Sequence, residues 1–301
     1  MFLAFPAKDE LMSMDAFADR FVPTADGLTI YLRDYAPLEP SGGLPILCLH
    51  GLTRNSRDFE IIAPRLAALG RRVLVMDVRG RGRSDRDPEP MRYGVPTYVG
   101  DVAAALTHLQ IDKAVFLGTS MGGLMTMVFA AMNPGRVAAA ILNDVGPELN
   151  PVAVARISDY LGKTNPVDTW EEARAVTRAN NEAAFPGRDD AFWDAFARRC
   201  WTEQDGQIAL DYDPSIAIPF AQPQGPAPAD LKPVFQAAFG AIPTLLIRGA
   251  LSDLILPEHV AAMRGLKPDL AFVEVADVGH APMLDEPEAM AAIVEFLARS
   301  P

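Results

Sequence analysis

Cysteine is scarce in this chain: Cys48 and Cys200 are the only two in 301 residues. Two isolated thiols cannot form a disulfide framework, and they lack the clustered spacing of a zinc site. Cys48 lies inside the apolar run LPILCLH and reads as a small core residue. This cysteine usage fits a reducing cytoplasm. Long apolar stretches are missing too. None approaches the roughly 20 residues of a membrane-spanning helix, so no membrane span is expected. The N-terminus, MFLAFPAKDELMSMD, reaches Lys8, Asp9 and Glu10 after a few apolar residues and lacks the basic leader of a signal peptide. Basic charge is in deficit, with 27 Lys+Arg against 39 Asp+Glu and a net charge of -12. Such a chain repels phosphate backbones and anionic lipid, which makes nucleic acid a poor partner. Haem, flavin, metal and Walker-lysine motifs are absent, so neither a cofactor nor a metal is expected.

What remains is a composition that is 50% hydrophobic and 22% charged, enough to bury a large core. Short Val/Ile/Leu runs alternate with helical patterns: LPILCLH (44–50), RRVLVMDVRG (71–80), KAVFLG (113–118) and RVAAAILND (136–144) are separated by helices over 58–70, 97–110 and 121–134. An earlier run, LTIYLRDYAP, also reads as a strand. Continuous apolar runs separated by helices indicate a parallel sheet covered on both faces. The rhythm stops at residue 147. Helices with intervening prolines follow, among them DDAFWDAFARRCWTEQ, and then a connector, PFAQPQGPAPADLKP, that reads as loop. Strands resume at 242–253 and 270–277, and a helix over 286–300 closes the chain. The expected organisation is one α/β core, residues 1–146 and 241–301, interrupted by a helical insertion over 147–240 before the penultimate strand.

The segment GTSMGG (118–123) falls at a strand-to-helix junction. In G-x-S-x-G the turn is so tight that the residues around the serine must be small, and the hydroxyl projects above the strand ends. Outside that setting, a serine before a helix is more often a cap. A serine nucleophile needs a base, and the chain has four histidines. His108 sits inside a helical pattern, His259 in the first turn of another, and His50 directly after a strand. His280, in the loop VGHAPMLDEP after the last strand, is placed to swing over the strand ends and follows the serine in the chain. Two aspartates could orient it: Asp253, after the penultimate strand, and Asp144, after the strand that follows the nucleophile helix. Taken alone, either would most often be a turn residue.

The segments LHG (49–51), DVRGRGRSD (77–85), GTSMGG, LNDVGP (142–147), PTLLIRGALSD (243–253) and VGHAPMLDEP (278–287) together resemble the α/β-hydrolase superfamily, and within it the capped esterase-like members. The resemblance implies an α/β-hydrolase fold, with Ser120 as nucleophile, Asp253 as acid and His280 as base. It makes the Leu52 and Met121 amides the oxyanion donors, each typically worth about 2.7–4 kcal/mol. His50 then shapes the oxyanion loop, and Arg79, Arg81 and Arg83 belong to a structural loop rather than an anion site. The serine disfavours relatives that use aspartate as nucleophile. The expected activity is carboxylic ester hydrolysis on a small molecule. Lactonase or carbon–carbon bond hydrolase activity, or ligand binding without catalysis, are the alternatives. The insertion is expected to roof the site, with Trp193 and Phe220 as pocket residues and Phe185, Phe192, Phe196 and Trp201 as further candidates.

Overall fold

The computed structural model describes residues 17–37, 39–221 and 230–301. The N-terminal segment read for a leader and the middle of the Pro- and Ala-rich connector lie outside the described residues. Among the described residues, no helix is long and apolar enough to cross a membrane.

Among the described residues there are ten strands: β1 (Ala18–Pro23), β2 (Thr29–Tyr35), β3 (Ile46–Leu49), β4 (Val73–Met76), β5 (Ala114–Thr119), β6 (Val137–Asn143), β7 (Trp201–Gln204), β8 (Gln207–Leu210), β9 (Thr244–Gly249) and β10 (Ala271–Val275). The helices are α1 (Ile62–Ala68), α2 (Val95–His108), α3 (Met121–Met132), α4 (Pro151–Tyr160), α5 (Trp170–Asn181), α6 (Asp190–Cys200), α7 (Ile218–Ala221), α8 (Lys232–Phe239), α9 (Pro257–Leu266) and α10 (Pro287–Arg299). Eight strands form one sheet in the order β1-β2-β4-β3-β5-β6-β9-β10. The β1-β2 and β2-β4 pairs are antiparallel and the rest are parallel.

Side chains alternate across a strand, so a sheet buried on both faces needs apolar residues at every position. In β3, Leu47 and Leu49 join the apolar cluster on one face, with Phe116, Leu142 and residues of α2 and α3. Ile46 and Cys48 join the other, with Val115, Ile141 and residues of α1 and α10. Cys48 is thus a core residue, and burial pushes its thiol pKa up.

The segment between β6 and β9 leaves the sheet and returns to the strand beside it, because β6 and β9 pair directly. It differs from the all-helical expectation in one respect. The helix read through Gln204 stops at Cys200, and a β7-β8 hairpin follows. Asp205 and Gly206 both take positive φ, 51° and 81°, as a two-residue hairpin turn requires. The buried Trp201 indole donates to Thr177 Oγ1 at 2.9 Å, which ties the hairpin to α5. The signal was the Asp-Gly pair, inside a run whose spacing also suits a helix.

Parallel strands place their C-terminal ends on one side. Residues directly after β3, β5, β6, β9 and β10 therefore meet at one edge of the sheet, where open α/β sheets hold their ligands.

Candidate active site

Ser120 links β5 to α3 with φ 52° and ψ -116°, a strained conformation for a residue with a side chain. Neighbouring glycines make the turn possible. A Cβ on Gly122 would collide with the Leu49 carbonyl, and one on Gly118 would come within 2.5 Å of the Gly122 backbone. The Ser120 side chain makes no capping bond to its helix. Its Oγ instead lies 3.0 Å from His280 Nε2, which disposes of the helix-cap reading.

His280 Nδ1 lies 2.7 Å from Asp144 Oδ2. A carboxylate only accepts, so the proton sits on Nδ1 and Nε2 is free to accept from the serine hydroxyl. Asp144 is fully buried and held by two more donors, the Gly249 amide at 3.0 Å and the Ser252 hydroxyl at 2.6 Å. The His280 loop is fixed as well. Gly279 N–H donates to the Ala184 carbonyl at 2.6 Å, Leu251 N–H to the Val278 carbonyl at 2.8 Å, and Asn143 Nδ2 to the Pro282 carbonyl at 2.9 Å.

The expectation for Asp253 is corrected here. Its side chain is 50% exposed and binds Arg156 of α4 at 2.7 Å, so Asp144 occupies the position beside His280. Both aspartates follow neighbouring strands, but the loop after β9 turns Ser252 and the Gly249 amide inward, onto Asp144, and leaves Asp253 outward. Sequence reasoning missed Ser252 and Asn143. Their adjacency to the two aspartates, in ALSD and LND, was the available signal.

The loop after β3 faces the serine. His50 is fully buried. Its Nε2 accepts from Val78 N–H at 3.0 Å, so its Nδ1 carries the proton donated to the Gly51 carbonyl at 2.7 Å. Burial pushes its pKa down to about 4. Arg81 Nε donates to the Leu52 carbonyl at 2.9 Å and anchors the same loop. His50 and Arg81 together preset the backbone that carries the Leu52 amide. The Met121 amide opens α3, where helix geometry supplies no intrahelical acceptor. The other loop arginines are also structural: Arg79 binds Asp26, Asp87 and Asp101, and Arg83 binds Asp19.

Ser120 and His280 open into a cavity of about 160 Å³ between the sheet edge and the segment between β6 and β9. Phe185, Phe196 and Trp201 line it, as three of the sequence candidates. Trp193 and Phe220 do not, which corrects the expectation for both. Trp193 is fully buried among Phe185, Phe192 and Phe196, with its indole donating to the Arg188 carbonyl at 3.2 Å. Phe220 packs on the core cluster that contains α3 and α8 residues. The lining also carries polar groups that periodicity could not single out: Arg54, Asp58, Thr177, Asn180 and Asn181. The neighbouring loop is fastened to the inserted segment by Asn55 Nδ2, donating to the Arg199 carbonyl at 2.9 Å, and by the Arg57–Asp211 ion pair at 2.6 Å.

A serine on a strand-to-helix turn and a buried aspartate, with a histidine from the loop after the last strand between them, meet at one edge of a mostly parallel sheet. The chain belongs to the alpha/beta hydrolase fold family, whose model matches residues 45–287. It is 38% identical over 264 residues to a 3-hydroxybutyrate-oligomer hydrolase of Cupriavidus necator, covering 86% of this chain and 89% of that protein. It is 27% identical to a 2-(acetamidomethylene)succinate hydrolase of Mesorhizobium japonicum, over 95% and 99% of the two chains. The crystal structure of an alpha/beta hydrolase from Novosphingobium aromaticivorans superposes with a TM-score of 0.87 at 42% identity, covering 94% of this chain and 98% of that one.

Proposed function

We propose that this hydrolase cleaves carboxylic esters through an acyl-enzyme, with Ser120 as nucleophile, His280 as general base and Asp144 as the acid that orients it. The observation that carries this reading is the continuous Ser120–His280–Asp144 chain, with spacings of 3.0 and 2.7 Å, at the wall of a cavity. In the reaction, His280 Nε2 takes the serine proton as Oγ bonds to the ester carbonyl carbon. The carbonyl oxygen becomes an oxyanion held by the Leu52 and Met121 amides. Collapse breaks the bond to the leaving oxygen, which receives the proton from His280. Water, deprotonated by His280, then releases the acid and restores Ser120. Asp144 keeps its charge throughout and stabilises the imidazolium.

Residues 147–240 act as a cap that shapes the substrate. A cavity of about 160 Å³ is below the roughly 300–1,000 Å³ typical of drug-sized ligands, which favours short acyl groups. The relative from Cupriavidus necator is named for hydrolysing oligomers of 3-hydroxybutyrate, whose units are joined by ester bonds. Linear oligoesters of short hydroxy acids are therefore the substrate kind we assign. The test is acid release from a 3-hydroxybutyrate dimer and trimer in a pH-stat. Hydrolysis by the wild type that is lost in Ser120→Ala supports the reading. Equal hydrolysis by the two proteins would refute it.

A further inference from the structure

Inside the cavity, one charged pair has no part in the chemistry just described. Arg54 and Asp58 both line the space, with side chains 17% and 15% exposed. Arg54 Nε lies 2.9 and 3.0 Å from the two Asp58 oxygens, and Nη2 lies 2.5 Å from Oδ1. The guanidinium carbon stands 4.2 Å from the centroid of the Phe196 ring, which fixes the plane of the group. Asp58 Oδ2 accepts only the longer bond from Nε, and Nη1 takes no part in the pair. The cavity is thus offered both a donor and an acceptor of a pair that is neutral overall. The pair also stands close to the nucleophile. A Cβ placed on Gly51 would lie 3.5 Å from Arg54 Cγ and 3.7 Å from Ser120 Cβ, so the arginine stem and the serine border the same small space.

We propose that Arg54 and Asp58 form a recognition site for a hydroxyl group on the acyl part of the substrate. The proposal rests on the ester reading above and deepens it. The leaving oxygen must sit beside His280 Nε2 to receive its proton, and the carbonyl oxygen must sit at the Leu52 and Met121 amides. The acyl chain is then directed away from His280, into the cavity that Arg54 and Asp58 line. A hydroxyl is both donor and acceptor and matches a neutral pair. A carboxylate would gain from Arg54 but be repelled by Asp58. An unsubstituted alkyl chain would leave Arg54 Nη1 and the spare acceptor capacity of Asp58 Oδ2 unmet, which a desolvated site tolerates poorly.

The experiment compares kcat/KM for ethyl 3-hydroxybutyrate, each enantiomer separately, with ethyl butyrate. It uses the wild type, Asp58→Asn and the double variant Arg54→Met/Asp58→Leu, which removes the pair without stranding either charge. The ratio of the two substrates within one protein cancels losses of folded enzyme or of nucleophile reactivity. The wild type should favour at least one hydroxy ester by about tenfold to a hundredfold, the range set by a hydrogen bond to a charged group. Both variants should bring the ratio toward one. A wild-type ratio near one, with both esters turned over, would overturn this proposal and leave the ester reading standing, as would a ratio unchanged in the variants. No turnover of any ester would overturn both.

Discussion

His280 Nδ1 and Asp144 Oδ2 stand 2.7 Å apart, while Asp253, the other candidate from the sequence, is bound to Arg156 on the outside. The proposed mechanism therefore gives the two carboxylates opposite tasks. Asp144→Asn presents an amide that can donate toward Nδ1 and so favours the wrong imidazole tautomer. It should lower kcat by about 10³–10⁴ with little change in fold. Asp253→Asn removes an exposed ion pair, worth at most about 1 kcal/mol, and should leave ester turnover within a few-fold of wild type. Steady-state kinetics on the two variants decide it, and the reverse pattern would place the acid at Asp253.

Acid should act on the loop that carries Leu52 through His50. Burial holds its pKa near 4, below the ordinary value of 6.5, so as the pH falls the unfolded chain takes up a proton that the folded one refuses. The stability this group contributes is present in full above about pH 6.5 and is lost as the pH falls toward 4. It amounts to about 2 kcal/mol by pH 5 and about 3 at full protonation. Urea unfolding of wild type and His50→Gln at several pH values should show the wild type's advantage shrinking by that amount over this interval. A pH-independent difference between them would contradict the assignment.

Two aromatics of the segment between β6 and β9 should part company. Trp193 is fully buried and away from the cavity, so Trp193→Ala should cost about 3–5 kcal/mol of stability. Its effect on chain-length preference should be small. Phe196→Ala, at the cavity wall, should also alter the ratio of kcat/KM for short against longer acyl esters, by about tenfold or more. Melting temperatures and acyl-length profiles on the same two proteins test this. An altered profile in Trp193→Ala alone would reverse the assignment.

The sheet, its helices and the turn at Ser120 were legible in the sequence because they follow from repetition and from local sterics. Apolar runs of strand length mark a sheet covered on both faces, and Gly118 and Gly122 mark a turn that larger residues would block. His280 was legible by its place after the last strand. The carboxylate beside it was not, because Asp144 and Asp253 follow adjacent strands whose ends open on the same side. Which one points inward depends on loop hydrogen bonds from Gly249 and Ser252, and these leave no periodic trace. The pocket failed for a related reason. Helical spacing shows that Trp193 and Phe196 lie on apolar faces, but not which of them meets the cavity. Arg54, which no motif marks, and Asp58, at the start of the helical pattern over 58–70, carry no site signal until the fold places both in the lining of one cavity with Ser120.

In the proposed reaction an ester's acyl group passes through Ser120, and trapping that intermediate is the decisive measurement. Protein mixed with a slowly deacylating aryl ester, quenched in acid within the first turnovers, should gain the mass of one acyl group. Peptide mapping should place it on Ser120, and Ser120→Ala should gain none. Steady ester turnover with no acyl group on Ser120 at any quench time would contradict the account.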